Sequence, residues 1–287
     1  MKFTVLTLFP EITDAFFANS IMAKAIDRKI IEYQAINIRD FAEDKHKTCD
    51  DAPYGGGPGM IMLSEPLNRA LEAAGAKKYP GEFLHRRKPP PINKAETKEK
   101  PILSSSLSAI SSLLNVPGRK RAVFLSPSGR QFNQDYAKEL ANEKELILVC
   151  GRYEGIDQRI IDRYADDEIS VGDYILSSGE AAALAVIDAT YRLVDNVINA
   201  QSLDEESFSG GLLEYPQFTR PEIFDKIKVP EVLLSGHHEQ IRLWRLEKRV
   251  EKTLLKRPDL IKRGRELGIF NDETNGIIDR LAAEQPD

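Results

Sequence analysis

Three expected strand ends of this 287-residue chain run into loops of small residues and glycine, where backbone groups would be free to hold a ligand. They are Leu125-Ser126-Pro127-Ser128-Gly129, Cys150-Gly151-Arg152-Tyr153-Glu154-Gly155 and Ser170-Val171-Gly172-Asp173-Tyr174-Ile175-Leu176-Ser177-Ser178-Gly179. Ligands of parallel sheets bind at the carboxyl ends of strands, where such loops lie. Their amides and carbonyls suit a purine and a ribose, with Tyr174 and Leu176 packing on the ring. Tyr54-Gly55-Gly56-Gly57-Pro58-Gly59-Met60 also permits close backbone approach to phosphates or bases. No strand directly precedes it and no Lys-Ser/Thr pair follows, so it matches neither a dinucleotide fingerprint nor a P-loop, and alone it reads as a tight turn. Arg192 and the run Asp204-Glu205-Glu206 are the remaining candidates. Taken singly, the first is dipole compensation at a helix end and the second a solvated acidic run. No cluster of ligand residues marks a metal site.

The elements that must position these residues are legible from periodicity. Residues 3–9, 31–36, 122–125 and 146–149 are short runs rich in Val, Ile, Leu and Phe, predicted as strands, while 65–74 and 133–142 have helical spacing. Strands alternating with helices imply an α/β domain with a mostly parallel sheet covered on both faces. Residues 179–193 predict an Ala-rich helix, and the polar stretch 195–206 reads as a linker. Beyond 207 the pattern is helical. The predicted organisation is a ligand-binding catalytic domain at 1–198, a linker at 199–206 and a helical domain at 207–287. Residues 77–121 are predicted as a surface insertion, with Arg86-Arg87-Lys88 as a candidate contact to nucleic acid and 104–114 as a short helix.

Composition narrows the class. With 41% hydrophobic and 30% charged residues and no apolar run of membrane-spanning length, the chain reads as soluble and globular. Its first nine residues predict a buried strand rather than a cleaved signal. Cys49 and Cys150, far apart, suggest reduced thiols in the cytoplasm. A net charge of −5 argues against wholesale coating of a nucleic acid. Locally the balance reverses, because Arg242, Arg245, Arg249, Lys252 and Lys256 recur every three or four residues. They form one basic stripe beside an apolar stripe of Leu243, Leu246, Val250 and Leu254. That face is either a phosphate contact or simply solvated.

Taken in order, these motifs resemble the bacterial tRNA (guanine-N1)-methyltransferase family, TrmD, of the SPOUT superfamily. The resemblance is carried by Leu8-Phe9-Pro10-Glu11, Asp51-Ala52-Pro53-Tyr54 with the glycines that follow, Leu125-Ser126-Pro127, Cys150 to Asp157, Gly172-Asp173-Tyr174, Leu212 to Pro221, Val232 to His238 and Ile241-Arg242-Leu243-Trp244-Arg245. It covers nearly the whole chain except 77–121 and the last residues. It implies a SPOUT-type parallel sheet with a trefoil knot, a small all-helical C-terminal domain, and a homodimer with active sites at the subunit interface. It also implies S-adenosylmethionine as methyl donor, Mg²⁺ as an aid to transfer, and the tRNA anticodon arm as partner, modified at N1 of guanosine 37. Positions matching the family's donor pocket are Phe124, Leu125, Ser126, Pro127, Gly151, Tyr153, Glu154, Ser170, Val171, Gly172, Tyr174, Leu176 and Gly179.

Guanine N1 carries a proton at neutral pH, so a base must remove it as the methyl group arrives, and the charge pushed onto O6 calls for a cation. The resemblance assigns these tasks to Glu206 and Arg192, with Asp204 as the alternative base. The chain departs from the family's pattern by having Glu206 where Asp is usual, a linker one residue shorter, Ser178 in place of Gly and Ala182 in place of Pro. Two alternatives stay open at this point: a SPOUT methyltransferase with another RNA target, and a catalytically impaired RNA-binding relative.

Overall fold

The computed structural model describes residues 1–79, 120–199 and 205–284, which divide into two compact units, Met1–Val197 and Ile198–Asp287. The first unit runs β1 (Lys2–Thr7), α1 (Pro10–Phe17), α2 (Ser20–Asp27), β2 (Glu32–Asn37), β3 (Asp50–Asp51), β4 (Ile61–Met62) and α3 (Ser64–Ala74). It continues with β5 (Arg121–Gln131), α4 (Gln134–Ala141), β6 (Glu145–Val149), α5 (Gln158–Tyr164), β7 (Asp167–Ser170) and α6 (Gly179–Tyr191). Five strands form one parallel sheet in the order β2-β1-β6-β5-β7.

Residues of β1, β5 and β6 alternate between two cores, as the pleat requires. Phe3, Val5, Val123, Leu125, Leu146 and Leu148 pack with α1, α2, α4 and α6. Leu6, Ala122, Phe124, Ile147 and Val149 pack with α3 and α5. Both faces are therefore buried, which is why these strands read as unbroken apolar runs rather than as alternation. The predicted helix at 133–142 begins at Asn133, whose side chain caps it by accepting from the Tyr136 amide at 2.9 Å. Helices α1 and α2, eight residues each, were not predicted. Two turns give periodicity too little length to register.

Strand β5 is longer than the predicted 122–125. Its pairing with β7 slips between Leu125 and Arg130, so 126–129 leave the ladder as an excursion within the strand instead of a loop after it. The ends of the predicted 77–121 insertion are built into the fold. The Tyr79 amide donates to the Arg163 carbonyl at 2.9 Å, the Lys120 ammonium to the Ala74 carbonyl at 2.7 Å, and Arg121 opens β5. The rest of that segment, including 104–114 and Arg86-Arg87-Lys88, lies outside the described residues.

The second unit holds a small hairpin, β8 (Ile223–Phe224) and β9 (Ile227–Lys228), then α7 (Glu231–Leu234), α8 (His238–Lys256), α9 (Pro258–Glu266) and α10 (Asp272–Ala283). Leu212, Val250, Ile261 and Ile278 form its core, with Leu246, Leu254 and Phe270 against them. Gly264 lies within α9 because a Cβ there would meet the Phe270 ring at 2.2 Å. Leu243, predicted on the apolar stripe of α8, is exposed. Among the described residues, no helix is long and apolar enough to cross a membrane.

Candidate active site

The three glycine-bearing segments, the excursion within β5 and the loops that follow β6 and β7, lie against one another. The Gly179 amide donates to the Gly151 carbonyl at 2.7 Å, joining the start of α6 to the loop after β6. A Cβ on Gly179 would lie 2.6 Å from the Gly151 nitrogen and 2.8 Å from the Cys150 Cα, so this junction requires glycine. Gly129 is equally confined, its virtual Cβ 2.4 Å from the backbone of Glu168 and Ile169. The glycine-rich loop before β4 joins the same place. The Glu154 amide donates to Met60 and the Met62 amide to Gly155, both at 2.9 Å. The Glu154 side chain occupies the space a Gly59 Cβ would need, 2.3 Å away. A loop that alone read as a tight turn is thus stitched to the candidate site.

The predicted pocket residues divide by what they can offer. Phe124, Leu125 and Ser170 are buried, so their side chains belong to the core and the fold. Tyr153, Tyr174 and Leu176 are exposed, at 43%, 55% and 40%, and supply apolar surface for a planar ring. Tyr153 holds the left-handed conformation (φ 58°), and burial together with the Asp50 carboxylate raises its hydroxyl. Ser126 and Ser128 share a hydroxyl hydrogen bond of 2.7 Å beside exposed Pro127. In the third segment, Ser170 Oγ donates to the Gly172 carbonyl at 3.1 Å and half-buried Val171 lies between them. Ser178, where the resembling family has glycine, is extended (φ −162°), a conformation open to any residue. That departure leaves the loop's backbone unstrained.

A buried charge pair escaped sequence reading. Glu180, fully buried in the first turn of α6, accepts from the Thr7 hydroxyl at 2.6 Å and lies 3.5 Å from Arg152 Nε. The Arg152 guanidinium sits 4.2 Å over the Phe9 ring. The signal was a lone carboxylate among 180-EAAALAVI-187, where every neighbour is apolar. Cys150 is also buried, and burial pushes its thiol well up, as in an inert core cysteine.

Gly179→Ala should destabilise the first unit by about 1–3 kcal/mol through overpacking and weaken a nucleoside ligand of these loops. Thermal unfolding and ligand titration would show it, and wild-type values for both would refute the junction's role.

Arg192 caps the C-terminus of α6 and is half-buried. The 13 residues of α6 rise about 20 Å, so the fold does not bring Arg192 to the loops at Gly179 of the same chain.

In the second unit, residues 205–215 form a compact irregular segment with left-handed backbone at Phe208 (φ 74°), Gly210 (φ 61°) and Gly211 (φ 74°). Asp204 lies outside the described residues. Glu206 is half-buried, and its carbonyl accepts from the Ser209 amide at 3.0 Å. The neighbouring Glu205 carboxylate is engaged by the Tyr215 hydroxyl at 2.9 Å and Arg245 at 3.2 Å.

The basic stripe of α8 is largely occupied, which corrects its reading as an open basic face. Arg249 donates to the carbonyls of Ser209 (2.7 Å) and Leu213 (3.3 Å), and Lys252 to that of Glu214 (2.9 Å). Arg242 is held between Glu239 and Glu273, both contacts at 2.7 Å. Lys256 remains exposed. Carbonyls in an irregular segment need donors, and the stripe supplies them. Among the described residues, no group of three or more His, Cys, Asp or Glu is placed to hold a metal ion.

Comparison with known proteins adds to this geometry. The family model described as "tRNA (Guanine-1)-methyltransferase TrmD" matches residues 1–85 and 98–263, passing over Arg86-Arg87-Lys88. A Treponema denticola protein named tRNA (guanine-N(1)-)-methyltransferase is 52% identical over 284 residues, covering 99% of this chain and 100% of its own. Proteins of the same name from Treponema pallidum (48% identical; 100% of this chain, 98% of its own) and Borreliella burgdorferi (50%; 91% and 92%) are also similar.

Proposed function

The chain belongs to the TrmD family of tRNA (guanine-1)-methyltransferases, and from that premise we propose that it transfers a methyl group from S-adenosylmethionine to N1 of the guanosine at tRNA position 37, just 3′ of the anticodon. Chief support comes from the convergence of the Gly151 and Gly179 loops, joined by the 2.7 Å bond between them, in a chain that matches named tRNA methyltransferases over its full length.

The donor fits the residues present. Close-packed glycines leave backbone amides and carbonyls for its polar groups, and exposed Tyr174 and Leu176 offer apolar contact to its adenine. When bound, it supplies an electrophilic methyl group. Glu206 accepts the N1 proton, Arg192 stabilises the charge developing on O6, and both act through orientation as well as charge. Asp204 is the alternative base. Because α6 separates Arg192 from its own donor loops by about 20 Å, the reading takes a homodimer in which a second copy supplies the other half of each active site. Mg²⁺, for which the described residues offer no cluster of three or more His, Cys, Asp or Glu ligands, would assist transfer. The first unit, knotted in the SPOUT manner, would bind the donor, and the second would hold the anticodon arm, in the cytoplasm where tRNA is processed.

The test is single-turnover transfer from labelled S-adenosylmethionine to transcripts carrying guanosine or adenosine at position 37. Label should pass to the guanosine transcript alone. Donor binding with neither transcript methylated would replace this reading with another RNA target or a non-catalytic RNA-binding role.

A further inference from the structure

From the contacts of α8 we infer that Arg249 and Lys252 are positioning residues: they hold the segment that carries Glu206 in its working shape, rather than gripping tRNA phosphate. The inference rests on Glu206 as the base. Side-chain bonds hold this segment along its length. Besides those donated to the carbonyls of Ser209, Leu213 and Glu214, Thr253 Oγ1 accepts from the Leu213 amide at 2.9 Å, and Ser207 Oγ from the Glu214 amide at 3.1 Å. The Phe208 amide closes the loop on the Leu212 carbonyl at 2.8 Å.

The segment includes three left-handed residues, one of them the non-glycine Phe208. A residue held there costs on the order of 1–3 kcal/mol and persists where its surroundings over-determine it. The surroundings here are the stripe itself. Burial of the Arg249 guanidinium lowers its pKa, and its side chain is turned onto backbone rather than toward solvent. A proton acceptor must be placed within hydrogen-bond reach of the proton it removes, and a misplacement of about 1 Å can cost on the order of a hundredfold in rate. Two cations clamped on the carbonyls that follow Glu206 remove that freedom before RNA arrives.

The test compares Arg249→Met, Arg249→Lys and Lys252→Met in the full-length enzyme, with labelled S-adenosylmethionine and the guanosine-37 transcript. Arg249→Met should lower the single-turnover rate at saturating tRNA by roughly tenfold or more, with tRNA affinity and its salt dependence unchanged. Amide exchange at Ser209 and Leu213 should accelerate, and Arg249→Lys should recover part of the rate. Should Arg249→Met fail to fold, Lys252→Met carries the same expectations. A retained rate at saturation, with weaker binding and a salt slope reduced by about one phosphate contact, would overturn the inference in favour of a phosphate grip. Glu206→Gln, assayed in parallel, separates the two readings. Loss of transfer there with a full rate in Arg249→Met sinks the positioning role alone. Transfer surviving Glu206→Gln sinks the base assignment and with it the inference.

Discussion

Glu206→Gln should reduce single-turnover methyl transfer by roughly 10²–10⁴-fold, the contribution typical of a positioned general base, while leaving donor affinity at the wild-type value. Gln matches Glu in size but cannot take the guanine N1 proton. The bond from the Ser209 amide to the Glu206 backbone carbonyl does not involve the atoms that are changed. The proposed donor loops belong to the Met1–Val197 unit and Glu206 to the other, so binding and chemistry should separate cleanly in the measurement. Glu205 is a poor candidate for the base, since its carboxylate already accepts from Tyr215 and Arg245. Asp204→Asn belongs in the same series. Full activity in Glu206→Gln with loss in Asp204→Asn would move the base two residues back.

Arg152→Met should markedly destabilise the first unit. Removing one partner of a buried pair leaves the other charge uncompensated, which costs about 3–5 kcal/mol. Arg152 keeps 27% of its side chain exposed against 1% for Glu180, so the lower end of that range is expected. At roughly 2–4 °C per kcal/mol for a unit of this size, the melting transition of Met1–Val197 should fall by about 6–12 °C. Donor affinity should fall with it, because Arg152 follows Gly151 and Glu180 follows Gly179, the two glycines joined at the loops' junction. The decisive comparison is Arg152→Met with Glu180→Gln added. Removing the stranded carboxylate should restore part of the lost stability. If the double variant melts no higher than Arg152→Met, the pair is not coupled and Arg152 contributes only through its contact with Phe9.

Much of the first unit is legible in the amino-acid sequence. Strands β1, β2 and β6 and helices α3, α4 and α6 fall within two residues of their predicted bounds, helped in β1 and β6 by burial on both faces, which makes those strands apolar nearly throughout. The glycine loops are also recognisable as places of close backbone approach, and the position of the Gly151 loop after the apolar run 146–149 puts it at a strand end. Harder to read is the excursion at 126–129, since a register slip depends on the partner strand. The clasp between the Gly59 loop and Glu154 lies equally out of reach, joining residues 95 positions apart.

The order of amino acids alone therefore specifies most of the longer strands and helices, the loops with exceptional backbone freedom, the family, and the residue types available for proton transfer. Three-dimensional packing chooses their neighbours. It seats Gly179 against Gly151 and buries Glu180 beside Arg152. It also turns the α8 stripe onto the carbonyls of 209–214. The physical reason is that periodicity reports which residues share a face, whereas what covers that face depends on contacts distant in sequence. A row of Lys and Arg has the same spacing whether it meets water, phosphate or the unpaired carbonyls of its own chain.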